Sequence, residues 1–180
     1  FAAQVAARFI LDDELFGAAC RAGLEGVFVG VETIDEAAAK RMRKSVPIRQ
    51  YEKAIRRCRR AGVVFHASLI FGLDEQDASC FDRTLEFLVR HSVPSVSPNV
   101  LTPYPGTPLF ARLMREGRIL HTNWDYYDHT TVVFRPAQMG VRELAERYLR
   151  FRRRLFSLSS IAKRFPAQMK VKPLVYLGMN

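Results

Sequence analysis

The stretch Phe28 to Met42, FVGVETIDEAAAKRM, decides how the rest of the chain reads. An apolar run, Val27-Phe28-Val29-Gly30-Val31, stops at a carboxylate, Glu32, and a helix-like segment follows at once. A short apolar run with a helix directly behind it is the pattern of a buried parallel strand and its return helix. Thr33 reads as the helix cap, with Glu36 three residues on completing a capping box. The helix is expected to end near Ser45, because Pro47 disfavours helical geometry at Val46.

The same alternation continues on either side. Upstream, LDDELFGAACRAG places Leu11, Leu15, Ala18 and Ala19 at helical spacing, opens on acids and closes on Gly23. Downstream, RQYEKAIRRCRRAG sets Tyr51, Ala54, Ile55, Cys58 and Ala61 on one helix face and ends at Gly62. VVFHASLIFG reads as the second strand, SCFDRTLEFLVRH as a helix through Phe81, Leu85 and Leu88, and SVSPNVLTPYPG as a third strand entering a proline-rich loop. A short helix from Pro108 to about Glu116 follows. Units of roughly 30 residues with glycine-bounded turns imply a parallel sheet covered by helices, part of a barrel or of an open α/β sheet.

After Gly117 the rhythm breaks. WDYYDHTTVVFRP looks like an extended aromatic appendage, and GVRELAERYLRFRRRLFSLSS like a long basic amphipathic helix with Leu144, Tyr148, Phe151 and Leu155 on one side. Three segments result: residues 1–118, an extension over 119–160, and a tail over 161–180 with no clear period, the pattern of a partly disordered end.

Bulk composition narrows the class. With 180 residues, 48% hydrophobic and 26% charged, the chain suits one soluble globular domain. No apolar run reaches the roughly 20 residues of a spanning helix. The start at Phe1 suggests a chain cut from something longer. Three cysteines, Cys20, Cys58 and Cys80, without a CxxC pair argue against a disulfide framework and a self-contained metal site, and suit reduced cytoplasmic thiols. Net charge is +10, concentrated in arginine-rich helices. Such a surface admits nucleic acid or an anionic membrane, although no stacking or groove-reading motif accompanies it, and a solvated basic face is the plainer reading. No P-loop, GxGxxG or nucleophile elbow is present.

In parallel α/β folds ligands sit beyond the carboxyl ends of the strands. Three features fall there: Glu32, the run Gly72 to Asp77, and LTPYPGTP. Glu32 is either a ligand-facing carboxylate or a helix-dipole partner. Gly72 either lets the backbone approach a flat ligand, with Ile70 or Leu73 against its face, or forms a plain turn with Asp77 or Ser79 capping the next helix. The prolines 103, 105 and 108 give a rigid binding wall or simply end a strand. His66 reads as a satisfied core or barrel-lining histidine rather than a metal ligand, and His121, His129 and Trp124 show no metal spacing.

Taken together and in order, GVFVGVETIDEAAAKRMRKS, AIRRCRRAGVVFHASLIFGLDEQD and NVLTPYPGTPLFARLMREGRI resemble the radical S-adenosylmethionine (SAM) superfamily, most closely its cobalamin-binding branch. NWDYYDHTTVVFRPAQMGVRELAERYLRFRRRLFS resembles that branch's C-terminal extension. The resemblance implies the C-terminal portion, about four β/α units, of a partial six-stranded TIM-like barrel. In the family a CxxxCxxC loop holds a [4Fe–4S] cluster that binds and cleaves SAM, and the 5′-deoxyadenosyl radical abstracts a substrate hydrogen. Glu32 then occupies the SAM-facing "GxES" position of the fourth strand. Ser68, Ile70 and Gly72 match the fifth-strand "GxIxG" element that contacts adenine, with Ser68 in place of a glycine and Glu75 in the trailing acidic slot. Leu101, Pro103 and Gly106 match the segment that closes the pocket after the sixth strand.

This chain has no CxxxCxxC, so the cluster, like the cobalamin, is expected to be held by parts of a longer parent, and no metal ligand is assigned within it. The implied partners are SAM, a small-molecule or lipid-like substrate, and a reductant such as flavodoxin or ferredoxin. Alone, the chain is expected to be inactive, and its first strand, an unpaired edge with an uncovered apolar face, favours marginal stability or self-association.

Overall fold

In the computed structural model, residues 1–42, 46–167 and 173–178 are described. Four parallel strands, β1 (Ala2–Gln4), β2 (Gly26–Glu32), β3 (Val64–Phe71) and β4 (Ser95–Val100), pair in the order β1-β2-β3-β4. Strands that neighbour each other in sequence order, with no reversal, make a barrel wall rather than a doubly wound sheet. The fold is therefore α/β, consistent with part of a TIM-like barrel plus helices.

The helices follow from local signals. Between β1 and β2 lie α1 (Ala7–Leu11) and α2 (Asp13–Arg21), the latter capped by Asp12, whose carboxylate accepts the Leu15 amide at 2.9 Å. The apolar face here differs from the one expected, for Leu15 is 54% exposed and Phe16 is buried. α3 (Glu36–Arg41) and α4 (Ile48–Arg60) join β2 to β3, and α5 (Cys80–Arg90) joins β3 to β4. α4 carries Arg57, Arg59 and Arg60 in its last turn, where cations complement the helix dipole.

The α3 cap is not the expected box. Asp35 accepts the amides of Ala37 and Ala38 at 3.0 and 3.1 Å, while Thr33 accepts the amide of Asp35 at 3.0 Å. A carboxylate two residues closer to the helix displaces the threonine, and Thr33 is released for another partner. Ser45, the expected helix end, lies outside the described residues, and α3 itself ends at Arg41.

α6 (Pro108–Arg115) follows β4, capped by Thr107, whose hydroxyl accepts the Phe110 amide at 3.2 Å. Residues 118–120 and 133–135 then form a short antiparallel pairing centred on Ile119 and Phe134. α7 (Val141–Leu155) packs into the main core rather than apart from it. Its Leu144, Tyr148, Phe151 and Leu155 are buried with the strand residues, and the Tyr148 hydroxyl donates to the Pro98 carbonyl at 2.9 Å. Phe71 ties the layers together, stacked on Phe81 of α5 at 4.5 Å and against Phe151 of α7 at 4.8 Å.

Where the sequence suggested a partly disordered tail, α8 (Leu158–Arg164), a 3-10 turn (Phe165–Ala167) and α9 (Pro173–Gly178) are found. The organising residue is Arg164, fully buried, whose guanidinium donates to the Val93 and Leu155 carbonyls at 3.0 and 2.9 Å. An arginine used as a core clamp leaves no apolar period to read.

Candidate active site at the carboxyl ends of the strands

Alternation along the strands separates two faces. Val27, Val29, Val31, Phe65, Ala67, Leu69 and Phe71 are buried under the helices. The opposite face is built in rows set by the register. Gln4, Phe28, His66 and Ser95 form the lowest row, Gly30, Ser68 and Ser97 the middle one, and Ile70 with Asn99 the upper one. No helix covers this inner face among the described residues, and it is mostly polar. The apolar uncovered face expected from the sequence is thereby corrected: a surface of serine, asparagine and histidine tolerates water.

The lowest row is a fixed floor. His66 meets the Ser95 hydroxyl through Nδ1 at 2.7 Å and the Ser97 hydroxyl through Nε2 at 2.8 Å, and Phe28 stacks on the imidazole at 4.7 Å. Of the two readings its strand position allowed, core or barrel-lining, this is a satisfied histidine on the inner face. Burial pushes its pKa below the ordinary value, and burial does the same at His91. A histidine depressed in the folded state binds its proton more readily when unfolded, so its stabilising contribution is present above the unfolded pKa of about 6.5 and is lost as pH falls through the folded value. Unfolding titrations from pH 7 to 5 should show falling stability, with a shallower slope in His66→Asn; an unchanged slope would remove His66 as a source.

Above this floor the row of glycine and serines leaves room, since those side chains fill little space. Glu32 stands at the strand end, paired in register with Leu69 rather than with the inner-face row. The register slips between Gly30 and Glu32, a bulge, and Glu32 has φ of 64°. A non-glycine residue in the left-handed region is strained, and bulges re-aim side chains beside active sites. Burial chiefly, and then the charge of Glu32, raise the pKa of Tyr51, whose hydroxyl lies 3.5 Å from the Gly30 carbonyl.

Sequence reasoning missed the residue that holds this region together. Gln76 is 2% exposed. Its Oε1 accepts the amides of Gly72 and Leu73 at 2.8 and 3.1 Å, and its Nε2 donates to the Ile70 carbonyl at 3.1 Å and to the Thr33 hydroxyl at 3.2 Å. One amide thus bonds the chain just beyond Glu32 to the end of β3. A glutamine among the acids of LDEQD was the available signal. Asp74 anchors the next residues to α6 and beyond, paired with Arg112 at 2.8 Å and Arg118 at 2.6 Å. Burial opposes ionisation there, but these two guanidinium groups hold its pKa below the usual carboxylate range.

The six candidate cofactor residues divide by location. Ser68 and Ile70 share the inner face, with Glu32 at the adjoining strand end. Leu101 continues β4, its amide donating to the Phe71 carbonyl at 2.8 Å, and Pro103 is buried just beyond. Gly72 faces elsewhere. It has φ of 94°, and a Cβ there would lie 2.9 Å from Leu144 Cδ2 and 3.1 Å from Phe134 Cζ. The C-terminal segment occupies the space that a side chain would need.

Residues 5–88 match the radical SAM superfamily, and residues 107–174 match a domain of unknown function, DUF4070. Over that first stretch, a little under half of the chain, the chain is similar to the radical SAM superfamily. It is 29% identical over 173 residues to bacteriochlorophyllide d C-12(1)-methyltransferase of Chlorobaculum tepidum, covering 96% of the chain and 37% of that enzyme. It is 34% identical over 99 residues to hopanoid C-2 methylase of Rhodopseudomonas palustris, covering 53% of the chain and 18% of that protein. The chain therefore spans well under half the length of either relative. Among solved structures, the radical SAM methyltransferase TsrM of Kitasatospora setae, determined with cobalamin and a [4Fe–4S] cluster bound, superposes with a TM-score of 0.59 at 13% identity, over 91% of this chain and 35% of that one. That likeness supports the fold.

The cysteines do not fit an iron–sulfur cluster. Cys20, Cys58 and Cys80 sit on three different helices, α2, α4 and α5; Cys58 and Cys80 are buried, and burial pushes both thiols up to about 12. Among the described residues no group of three histidine, cysteine, aspartate or glutamate side chains is placed to hold a metal. No described helix is long and apolar enough to cross a membrane.

Proposed function

We propose that this chain is the C-terminal wall of a radical SAM methylase barrel, with SAM against the ends of β2 and β3 and cobalamin and the cluster held by other parts of the parent. The observation that carries this reading is the strained, bulged Glu32 at a strand end that Gln76 locks to Ile70 and Gly72. The reaction is radical methylation or a related C–H functionalisation. SAM and the cluster, when bound, would supply the radical chemistry; the residues here bind, orient and exclude water. Glu32 accepts hydrogen bonds from the cofactor's polar groups, Ser68 and Ile70 form the wall beside the adenine, and Leu101 and Pro103 close the pocket. The adenine element keeps Gly72 as the hinge of its strand end rather than as a surface against the ring. The parent works in the cytoplasm with a flavodoxin- or ferredoxin-type reductant, and the isolated chain is inactive and self-associates through the unpaired edge of β1.

The test is anaerobic reconstitution of the longest reading frame that contains this chain. A CxxxCxxC within about 60 residues before Phe1, iron–sulfur absorbance and 5′-deoxyadenosine formation are expected, with none from the 180 residues alone. Glu32→Ala should weaken SAM binding about tenfold, the equivalent of one lost charge-assisted hydrogen bond. A parent frame without those cysteines, or one that leaves SAM intact, overturns the reading.

A further inference from the structure

A small cleft opens on the helical side of the sheet, at the seam between α5 and α7. Phe81, Asp82, Arg147, Arg150, Phe151 and Arg154 line it, and its volume is about 50 Å³. Phe81 and Phe151 are buried, their rings 6.0 Å apart, and make the floor under three guanidinium groups and one carboxylate. Both phenylalanines pack on Phe71, so the sheet separates this cleft from Ser68 and Ile70 on the inner face. A single water needs roughly 10–15 Å³. The cleft therefore has room for a small tetrahedral anion, but not for a nucleoside.

The charges around it are uneven. Arg147, Arg150 and Arg154 follow one another at steps of three and four residues, which sets them along one stripe of α7 beside Phe151. Like charges at that spacing repel. Two of the three are answered in part: Arg147 bonds Glu143 at 2.9 Å, and Arg154 bonds Asp82 across the seam. The Arg150 side chain makes no hydrogen bond or ion pair among the described residues. Glu146, one turn before it, is bonded to Arg142 at 2.7 Å and meets Arg150 through its charge only. Asp82 is thus the one carboxylate facing three guanidinium groups in the cleft.

We infer that the α5–α7 cleft binds a soluble phosphate monoester, its dianionic head held between Arg147, Arg150 and Arg154. Guanidinium forks match phosphate oxygens two at a time, and arginine keeps its charge throughout the working pH range. The cleft takes the head alone, so the ester oxygen points outward and the rest of the ligand stays in solvent. Asp82 competes for Arg154, which exchanges the carboxylate for the ligand. A phosphodiester brings one charge fewer and a second substituent that the cleft has no room for. An anionic bilayer fits less well again, because Asp82, Glu143 and Glu146 repel a broad negative surface. This site is independent of the chemistry at the strand ends.

The test is a calorimetric titration of the protein encoded by the longest reading frame that contains this chain. Methyl phosphate is the probe, at low ionic strength and pH 8, where a monoester with a second pKa of about 6 is a dianion. Dimethyl phosphate and phosphatidic acid vesicles are the other arms. Saturable binding of methyl phosphate, roughly tenfold tighter than that of dimethyl phosphate, is expected. Arg150→Gln should weaken it about tenfold, as for a lost charge-assisted contact, and leave the urea unfolding midpoint unchanged, since that side chain has no partner to lose. Asp82→Asn should tighten it about threefold by removing the competing carboxylate, an effect that a merely solvated arginine face does not produce. Equal binding of the two esters, binding to the vesicles alone, or an affinity that neither variant moves overturns the inference. Failure of 5′-deoxyadenosine formation in the parent leaves this titration standing, so the two readings fall separately.

Discussion

Gly72→Ala is expected to destabilise the chain by about 2–4 kcal/mol, combining the cost of a left-handed φ for a non-glycine residue with overpacking of a filled site. The neighbours that would have to give way, Leu144 and Phe134, are both fully buried. Equilibrium urea unfolding should show the midpoint falling with the slope unchanged. The experiment also separates two reasons for a glycine here. If the glycine served only close approach of a ligand, stability would be untouched and SAM affinity alone would drop.

Gln76→Leu is expected to cost about 3 kcal/mol, since it strands the Gly72 and Leu73 amides and the Ile70 carbonyl in a dry environment, and each orphaned buried group costs about 1–3 kcal/mol before relaxation. Leucine fits the volume, so a cavity contributes little. Gln76→Glu keeps the acceptor for both amides and loses the donor to Thr33 and Ile70, which places its effect between wild type and leucine. Proton-exchange rates at the Gly72 and Leu73 amides check the assignment: both should rise in Gln76→Leu, and slow exchange in that variant would show that another group satisfies them.

The repeating part of the architecture was readable. Apolar runs at 27–31, 63–71 and around 96–101, with amphipathic segments between them, lead directly to β2, β3, β4 and their helices. β1 was not, because Ala2–Gln4 has one half-buried and two exposed positions and too little apolar area to stand out. The cap at Asp35 escaped for a different reason: Thr33 and Asp35 both satisfy the local rule, and the choice was made by Gln76, which takes the Thr33 hydroxyl across 43 positions of sequence. Gly72 illustrates the same limit. Its need for positive φ was visible as a turn glycine, while the side chains that exclude a Cβ come from Phe134 and Leu144. Ser68 and Ile70 fall on one face by simple alternation, but Glu32 does not, because the bulge resets the pleat just before it. The polar inner face follows once the register is known, as serines and histidine on alternate positions look unremarkable until three strands align them.

The packing of Leu144 and Phe134 onto Gly72 also has a meaning for biosynthesis. The end of β3 emerges from the ribosome well before its cover, for Leu144 is 72 positions later. At roughly 5–20 residues per second, that delay is on the order of 4–15 s. Throughout it the strand end, and Phe71 with it, lacks the aromatic and leucine side chains that seal its outer surface. The nascent sheet is left open at that spot until α7 arrives, and a chaperone that binds apolar strand ends has its window there.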